Sequence, residues 1–217
     1  MKNTIYPTSI PDFLSTEEIK NIKTSVLELS KNWRKISDET KSNRSVGPGA
    51  YTLGRAAYCI RNKYEKYNKD NPILISNFST LYDKTTHLLK NYLNIDQEIY
   101  LLNDFTVPGF HIFSGPIPAE KFLNLHFHVD SSIAEFYENV DIKSVCSFSS
   151  IIEGKSQYLE YRQNGRVQKF DYYRGNLNLW SANVEHRIGC RGLSAGEYRI
   201  TYQGHLFKYR KSHYMFF

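Results

Sequence analysis

The chain has 217 residues, 41% of them hydrophobic, which is enough to bury a core without disulfides and is read as a single domain. Its three cysteines, Cys59, Cys146 and Cys190, are scattered and form no CxxC pair. That argues against a cysteine zinc site and for reduced thiols in a cytoplasm. The net charge of +6 comes without any Lys/Arg block, so the surface reads as generically basic and nucleic acid is not an expected partner. No apolar run approaches the ~20 residues of a membrane span, and Met1 to Pro7 has no apolar signal core.

In chain order, Ile10-Pro11-Asp12-Phe13-Leu14 reads as a short entering strand or turn. Ser15-Thr16-Glu17-Glu18 is a capping box, in which the Ser15 hydroxyl accepts from the Glu18 amide and Glu18 reaches back. Apolar residues at Ile19, Ile22, Val26 and Leu29 then predict a helix to about Lys31. Trp33 to Ala50 is polar and broken by Gly47-Pro48-Gly49, so it reads as a loop, placed to rim a pocket beside Tyr51 to Arg55 or simply to connect. From Asn71-Pro72 the spacing of Phe78, Leu81, Leu88, Leu89, Tyr92 and Leu93 predicts a second helix that stops near Asn94.

After Gln97 the texture becomes that of short strands. They are expected at 100–102, 109–113, 123–130, 144–152, 157–162, 167–172, 177–180, 186–189 and 197–207. Turn formers separate them, and Asn164-Gly165 is a strong hairpin signal. The high aromatic fraction, 15%, suits a β-rich core or a pocket. The expected fold is mostly β with flanking helices (α+β): a jelly-roll, or double-stranded β-helix, with the N-terminal helices packed on one sheet. Residues 1–96 are then a helical support region and loop, and 97–217 the β core, within one domain spanning 1–217.

The segment Leu123-Asn124-Leu125-His126-Phe127-His128-Val129-Asp130 alternates apolar and polar residues, so one strand face carries two imidazoles and a carboxylate. His128 and Asp130 point the same way and suit a divalent metal, with a third ligand from a later strand. Of the seven histidines, His186 sits at the start of such a strand. Arg199 and Thr201 share one face of the last long strand, where a guanidinium beside a hydroxyl makes a carboxylate clamp.

His128-x-Asp130, then His186, then Arg199-x-Thr201 resembles the iron(II)/2-oxoglutarate-dependent oxygenases. Pro11 to Glu18 is similar to the start of their prolyl-hydroxylase-like members, and Pro108 to Phe113 to bacterial ones. The resemblance runs along most of the chain, but five residues carry it. It implies that His128, Asp130 and His186 hold Fe(II), that Arg199 and Thr201 hold the far carboxylate of 2-oxoglutarate, and that O2 is the oxidant. It also implies oxidation of a small molecule, such as a free amino acid, or a peptide. Halogenating relatives lack the carboxylate ligand, so Asp130 favours hydroxylation or a related oxidation.

Other readings stay open at this level. A cupin-type enzyme would use His126 and His128 with a nearby Glu, although Glu135 lies far downstream for that pattern. A non-catalytic jelly-roll binding module for a sugar or nucleic acid would need no metal. His126 is a candidate neighbour of the metal or an ordinary strand histidine, and His111 either lines the pocket or caps a turn. Tyr158 and Tyr161 are candidate donors to 2-oxoglutarate or core residues. Glu185 and Arg187 read as surface groups, with Arg187 also a candidate for a substrate carboxylate. Ser114 to Phe122 is a candidate lid or a plain loop.

Overall fold

A computed structural model describes residues 4–36, 49–60, 69–123, 125–155 and 157–217. Two helices open the chain: α1 (Thr16–Glu28) and α2 (Asn71–Tyr92). The capping box at α1 forms as expected, with Ser15 N donating to Glu18 at 2.7 Å and Glu18 N to Ser15 Oγ at 3.2 Å. Most of the expected loop from Trp33 to Ala50 lies outside the described residues.

Twelve strands follow one another as β1 (Thr8–Ile10), β2 (Arg34–Lys35), β3 (Ala50–Leu53), β4 (Ile99–Leu101), β5 (Gly109–Ser114), β6 (Cys146–Glu153), β7 (Gln157–Gln163), β8 (Arg166–Asp171), β9 (Leu177–Ser181), β10 (His186–Cys190), β11 (Tyr198–Tyr209) and β12 (Ser212–Phe216). A large sheet runs β1-β9-β6-β11-β5-β3-β2, with β12 joined to β11 and β4 joined in parallel to β12. A second, three-stranded sheet runs β10-β7-β8. The two antiparallel layers are consistent with a jelly-roll core. Three of the strands lie before residue 97, so the N-terminal region supplies sheet as well as helix. Asn164 and Gly165 close the β7–β8 hairpin, both at positive φ (51° and 75°), the backbone that this dipeptide adopts most readily.

The period of two in the central strands sorts side chains onto two faces of the large sheet. Phe110 and Ile112 of β5, Phe148 and Ile152 of β6, Leu177 and Leu179 of β9, and Ile200, Tyr202 and Leu206 of β11 are buried in one cluster. Buried residues of α1 (Ile19, Val26) and α2 (Leu74, Phe78, Leu81, Tyr82, Leu89) belong to the same cluster. Within it the Phe110 ring lies 4.7 Å from Phe78 and 5.6 Å from Tyr202. The Thr85 and Tyr202 hydroxyls, 3.2 Å apart, tie α2 to β11 in the same layer. The opposite face of these strands carries His111, Ser149, Trp180, Arg199, Thr201, Gln203 and His205, which line the cavity, and the fully buried Ser147.

The expected strand 123–130 does not form. Ala119–Leu123 is a short helix, α3, and among the described residues from 125 to 130 only His128 makes a ladder pair, with His186. The alternation in this segment is therefore a record of which way side chains face, not of a continuous ladder. Strand β12 and the short β2 and β3 were not anticipated as strands. β2, at the sheet edge, and β3 beside it are too short to show a period, and the Tyr209-Arg210-Lys211 turn before β12 lacks glycine or proline. Truncating Phe110 to Ala is expected to cost about 3–5 kcal/mol of stability, because the cavity left between α2 and the sheet cannot be refilled. Urea unfolding followed by circular dichroism should show a lower midpoint with an unchanged slope.

Candidate metal centre

The cavity between the two sheets has a volume of about 610 Å³, and the five residues singled out from the sequence all line it: His128, Asp130, His186, Arg199 and Thr201. His186 opens β10. His128 lies on an extended segment that pairs with it residue to residue, each amide donating to the other's carbonyl at 2.9 Å. Asp130 N donates to Ala182 O at 2.9 Å, which carries the segment past the start of β10. Two guanidinium groups lie over the Phe127 ring, Arg162 at 4.7 Å and Arg187 at 4.8 Å from its centroid. Phe127 thus anchors the segment to the small sheet between its two prospective ligands and the turn before them.

One ligand atom each from His128, Asp130 and His186 lie within 4.8 Å of one another. His128 Nε2 is 3.8 Å from Asp130 Oδ1, and His186 Nε2 is 3.6 Å from Asp130 Oδ2. The other ring nitrogens are occupied: His128 Nδ1 faces His126 O at 3.2 Å and His186 Nδ1 faces Val184 O at 2.9 Å. A carbonyl can only accept, so both Nδ1 atoms carry a proton and both Nε2 atoms turn towards Asp130. That is the tautomer a metal-binding imidazole needs. Burial alone would raise the Asp130 carboxyl, but His186, His205, His128 and the Ser147 hydroxyl outweigh it and hold it at about 2. It is a carboxylate at neutral pH. Two imidazole lone pairs and one carboxylate fit a divalent ion of the iron, manganese or cobalt kind.

Arg199 is 2% exposed, its guanidinium 5.2 Å from the Phe113 centroid. Burial draws its pKa below the ordinary value, but an arginine remains a cation. Its Nε has no hydrogen-bond partner, Thr201 Oγ1 has none either, and no carboxylate among the described residues pairs with the guanidinium. A buried cation left this way needs an anion. Tyr172 lines the same cavity, its hydroxyl pushed up to about 12 by burial and so protonated.

Several softer expectations resolve. His126 is exposed at the cavity wall and is not part of the metal cluster. His111 lines the cavity: Tyr58 Oη is 2.6 Å from its Nε2 and Gln203 Oε1 is 3.1 Å from its Nδ1. Tyr158 lies outside the cavity under Lys169, whose Nζ is 4.5 Å from its ring centroid, and the Tyr161 ring lies tilted 6.1 Å from that of Tyr6. Glu185 pairs with Arg162, and Arg187 with Glu160. The segment from Ser114 to Phe122 is not laid across the cavity, because Ile117 exchanges backbone bonds of 2.8 and 2.7 Å with Leu193. The sequence reading missed Ser147, Tyr58, Gln203 and His205. The last two continue the face of Arg199 and Thr201 at the same period of two, which was the signal available.

His111 sets a pH dependence. Burial, with Arg199 nearby, lowers its pKa from 6.5 to about 3. The unfolded chain therefore takes up a proton near pH 6.5 that the folded chain refuses until about pH 3, and stability falls as pH drops through that window. The His111→Gln variant is expected to lose stability more gently across it, by up to about 1.4 kcal/mol per pH unit. Urea midpoints measured between pH 7 and pH 4 give the two slopes.

No protein-family model matches the chain, and no curated protein does. Solved structures do. A 2OG-Fe(II) oxygenase family oxidoreductase from Burkholderia pseudomallei superposes with a TM-score of 0.57 at 12% identity, over 91% of this chain and 82% of that one. SnoN, a non-heme alpha ketoglutarate dependent epimerase from nogalamycin biosynthesis, gives 0.53 at 8% identity, over 94% and 81%. AviO1 from Streptomyces viridochromogenes gives 0.53 at 13% identity, over 96% and 92%. The chain has the fold of the 2-oxoglutarate/Fe(II) oxygenases, the superfamily that its sequence resembles.

Proposed function

We propose that the protein is an Fe(II)/2-oxoglutarate-dependent oxygenase that hydroxylates a small molecule such as a free amino acid, or a peptide. The observation that carries this reading is the pairing, in one cavity, of a His-Asp-His ligand set with a buried arginine that lacks an anion. A metal site alone would suit many enzymes, and a buried arginine alone many carboxylate receptors. Together they ask for a co-substrate with a chelating end and a carboxylate end.

In this reading His128, Asp130 and His186 hold Fe(II). Arg199 and Thr201 hold the distal carboxylate of 2-oxoglutarate, the guanidinium through parallel charge-assisted bonds and the hydroxyl through one more. Held there, Fe(II) with 2-oxoglutarate and O2 would supply the oxidising chemistry, with the co-substrate consumed to succinate and carbon dioxide. The chain's own work is positional. Ile36, Phe113, Leu125 and Ile188 wall the cavity with apolar surface, which limits water around the site. A cavity of about 610 Å³ has room for the co-substrate beside a molecule of amino-acid size. The α-ketoglutarate dependence of SnoN, which shares the fold, supports the co-substrate. Asp130 fills the position that halogenating relatives leave to chloride, which supports hydroxylation.

Protein loaded with Fe(II) without oxygen should release succinate from 2-oxoglutarate once oxygen is admitted. His128→Ala should abolish this. Arg199→Ala should raise the KM for 2-oxoglutarate about 100-fold, the equivalent of about 3 kcal/mol of lost charge-assisted bonding. If the wild type releases no succinate, and 2-oxoglutarate gives no metal-dependent rise in melting temperature, the reading is wrong.

A further inference from the structure

Asp130 lies two residues beyond His128, the residue paired to β10, and its side chain reaches the large sheet. There Ser147 of β6 donates to Asp130 Oδ2 at 2.5 Å. Ser147 Oγ is also 3.0 Å from His205 Nδ1. A hydroxyl has one proton to give. Since Ser147 gives it to the carboxylate, His205 must donate to Ser147, so His205 carries its proton on Nδ1. The bonds run in one direction, from His205 to Ser147 to Asp130, and each strengthens the next.

The register explains why these residues meet. Ser147 stands directly opposite His205 on β11 and opposite Trp180 on β9. In that row a serine between two large rings leaves room for a carboxylate from the other layer. Ser147 is fully buried and His205 is 9% exposed, its ring packed 4.9 Å from Phe216. His205 Nδ1 lies 3.9 Å from Asp130 Oδ2, too far for a direct bond, so the serine is the only link between them that the described residues provide. The carboxylate it holds belongs to a segment that has no strand ladder of its own.

We infer that Ser147 and His205 are positioning residues for the metal centre: the His205–Ser147 pair holds one oxygen of Asp130 and so fixes how the carboxylate is presented to a divalent cation. This rests on the reading of His128, Asp130 and His186 as metal ligands. It adds a connection by which the large sheet, which contributes none of those ligands, sets the geometry of a site built on the small one.

Mn(II) titration followed by electron paramagnetic resonance tests this without turnover. Wild type should bind Mn(II). Ser147→Ala and His205→Phe should each weaken binding about 10- to 100-fold, the usual effect of removing a group that orients a ligand. The double variant should bind no worse than Ser147→Ala, because the chain acts as a unit. Ser147→Thr, which keeps the hydroxyl, and His205→Asn, which keeps a donor near Nδ1, should return affinity towards wild type. The visible spectrum of the Co(II) form should change in the two deleting variants and recover in the two conservative ones.

A folded Ser147→Ala or His205→Phe protein with wild-type Mn(II) affinity overturns the inference, as do additive effects in the double variant. Should Ser147→Ala fail to fold, His205→Phe decides alone, since it leaves the serine in place. A loss in His205→Phe as complete as that in His186→Ala would make His205 a ligand and also overturn it. If wild type binds neither Mn(II) nor Co(II), the metal reading itself has failed, an outcome that the wild-type titration identifies before any variant is compared.

Discussion

A cation buried without a counter-charge is the constraint from which this cavity follows. Arg199 is 2% exposed, rests near Phe113 and has an unpartnered Nε. Moving a charge out of water is costly, and nothing among the described residues repays it by ion pairing. The surrounding fold must hold that cost, and the apolar layer on the other side of the sheet is where the compensating burial lies: Phe110, Phe148, Ile200 and Tyr202 sit on the reverse face of the strands that carry the polar site. A charged ligand that completes Arg199 would therefore stabilise the whole molecule and not the cavity alone.

The two sheets divide the labour. The small sheet and the segment paired to it bring His128, Asp130 and His186 together, while β11 of the large sheet brings Arg199, Thr201, Gln203 and His205 to the facing wall. A ligand held at both ends spans the layers. The Asp130 segment is the weak member, because it has a single ladder pair. Its hold comes from the reciprocal bonds between His128 and His186, from the guanidinium groups over Phe127, and from the Asp130–Ser147 contact across the cavity. Three unlike interactions do what a longer strand would have done.

Much of this could be read from the sequence where a local rule was sufficient. Ser15 and Glu18 announced α1, Asn164-Gly165 fixed a hairpin, and the spacing of Phe78, Leu81 and Leu89 placed α2 almost to the residue. His128 with Asp130, and Arg199 with Thr201, were singled out as pairs two apart, which face one way whether or not the backbone is laddered, and His186 by its place at the start of a later strand; all five line the cavity. The same logic failed for 123–130 as a strand: alternation reports facing, while a ladder needs a neighbour, and among the described residues there only His128 has one. Ser147 was invisible for a different reason. Its role depends on which residues lie opposite it on β9 and β11, and register between strands far apart in sequence is not written locally.

The β7–β8 hairpin has a practical use. Its turn, Asn164-Gly165, is exposed, and a side chain added at Gly165 would meet nothing within 4 Å. Exposed turns of this kind accept inserted sequence well. Yet β7 runs directly beside β10, with Tyr161 opposite His186. A fluorophore or a small reporter domain inserted at the turn would sit at the free end of a rigid lever whose other end is one strand away from the candidate metal centre, turning occupancy of the site into an optical signal.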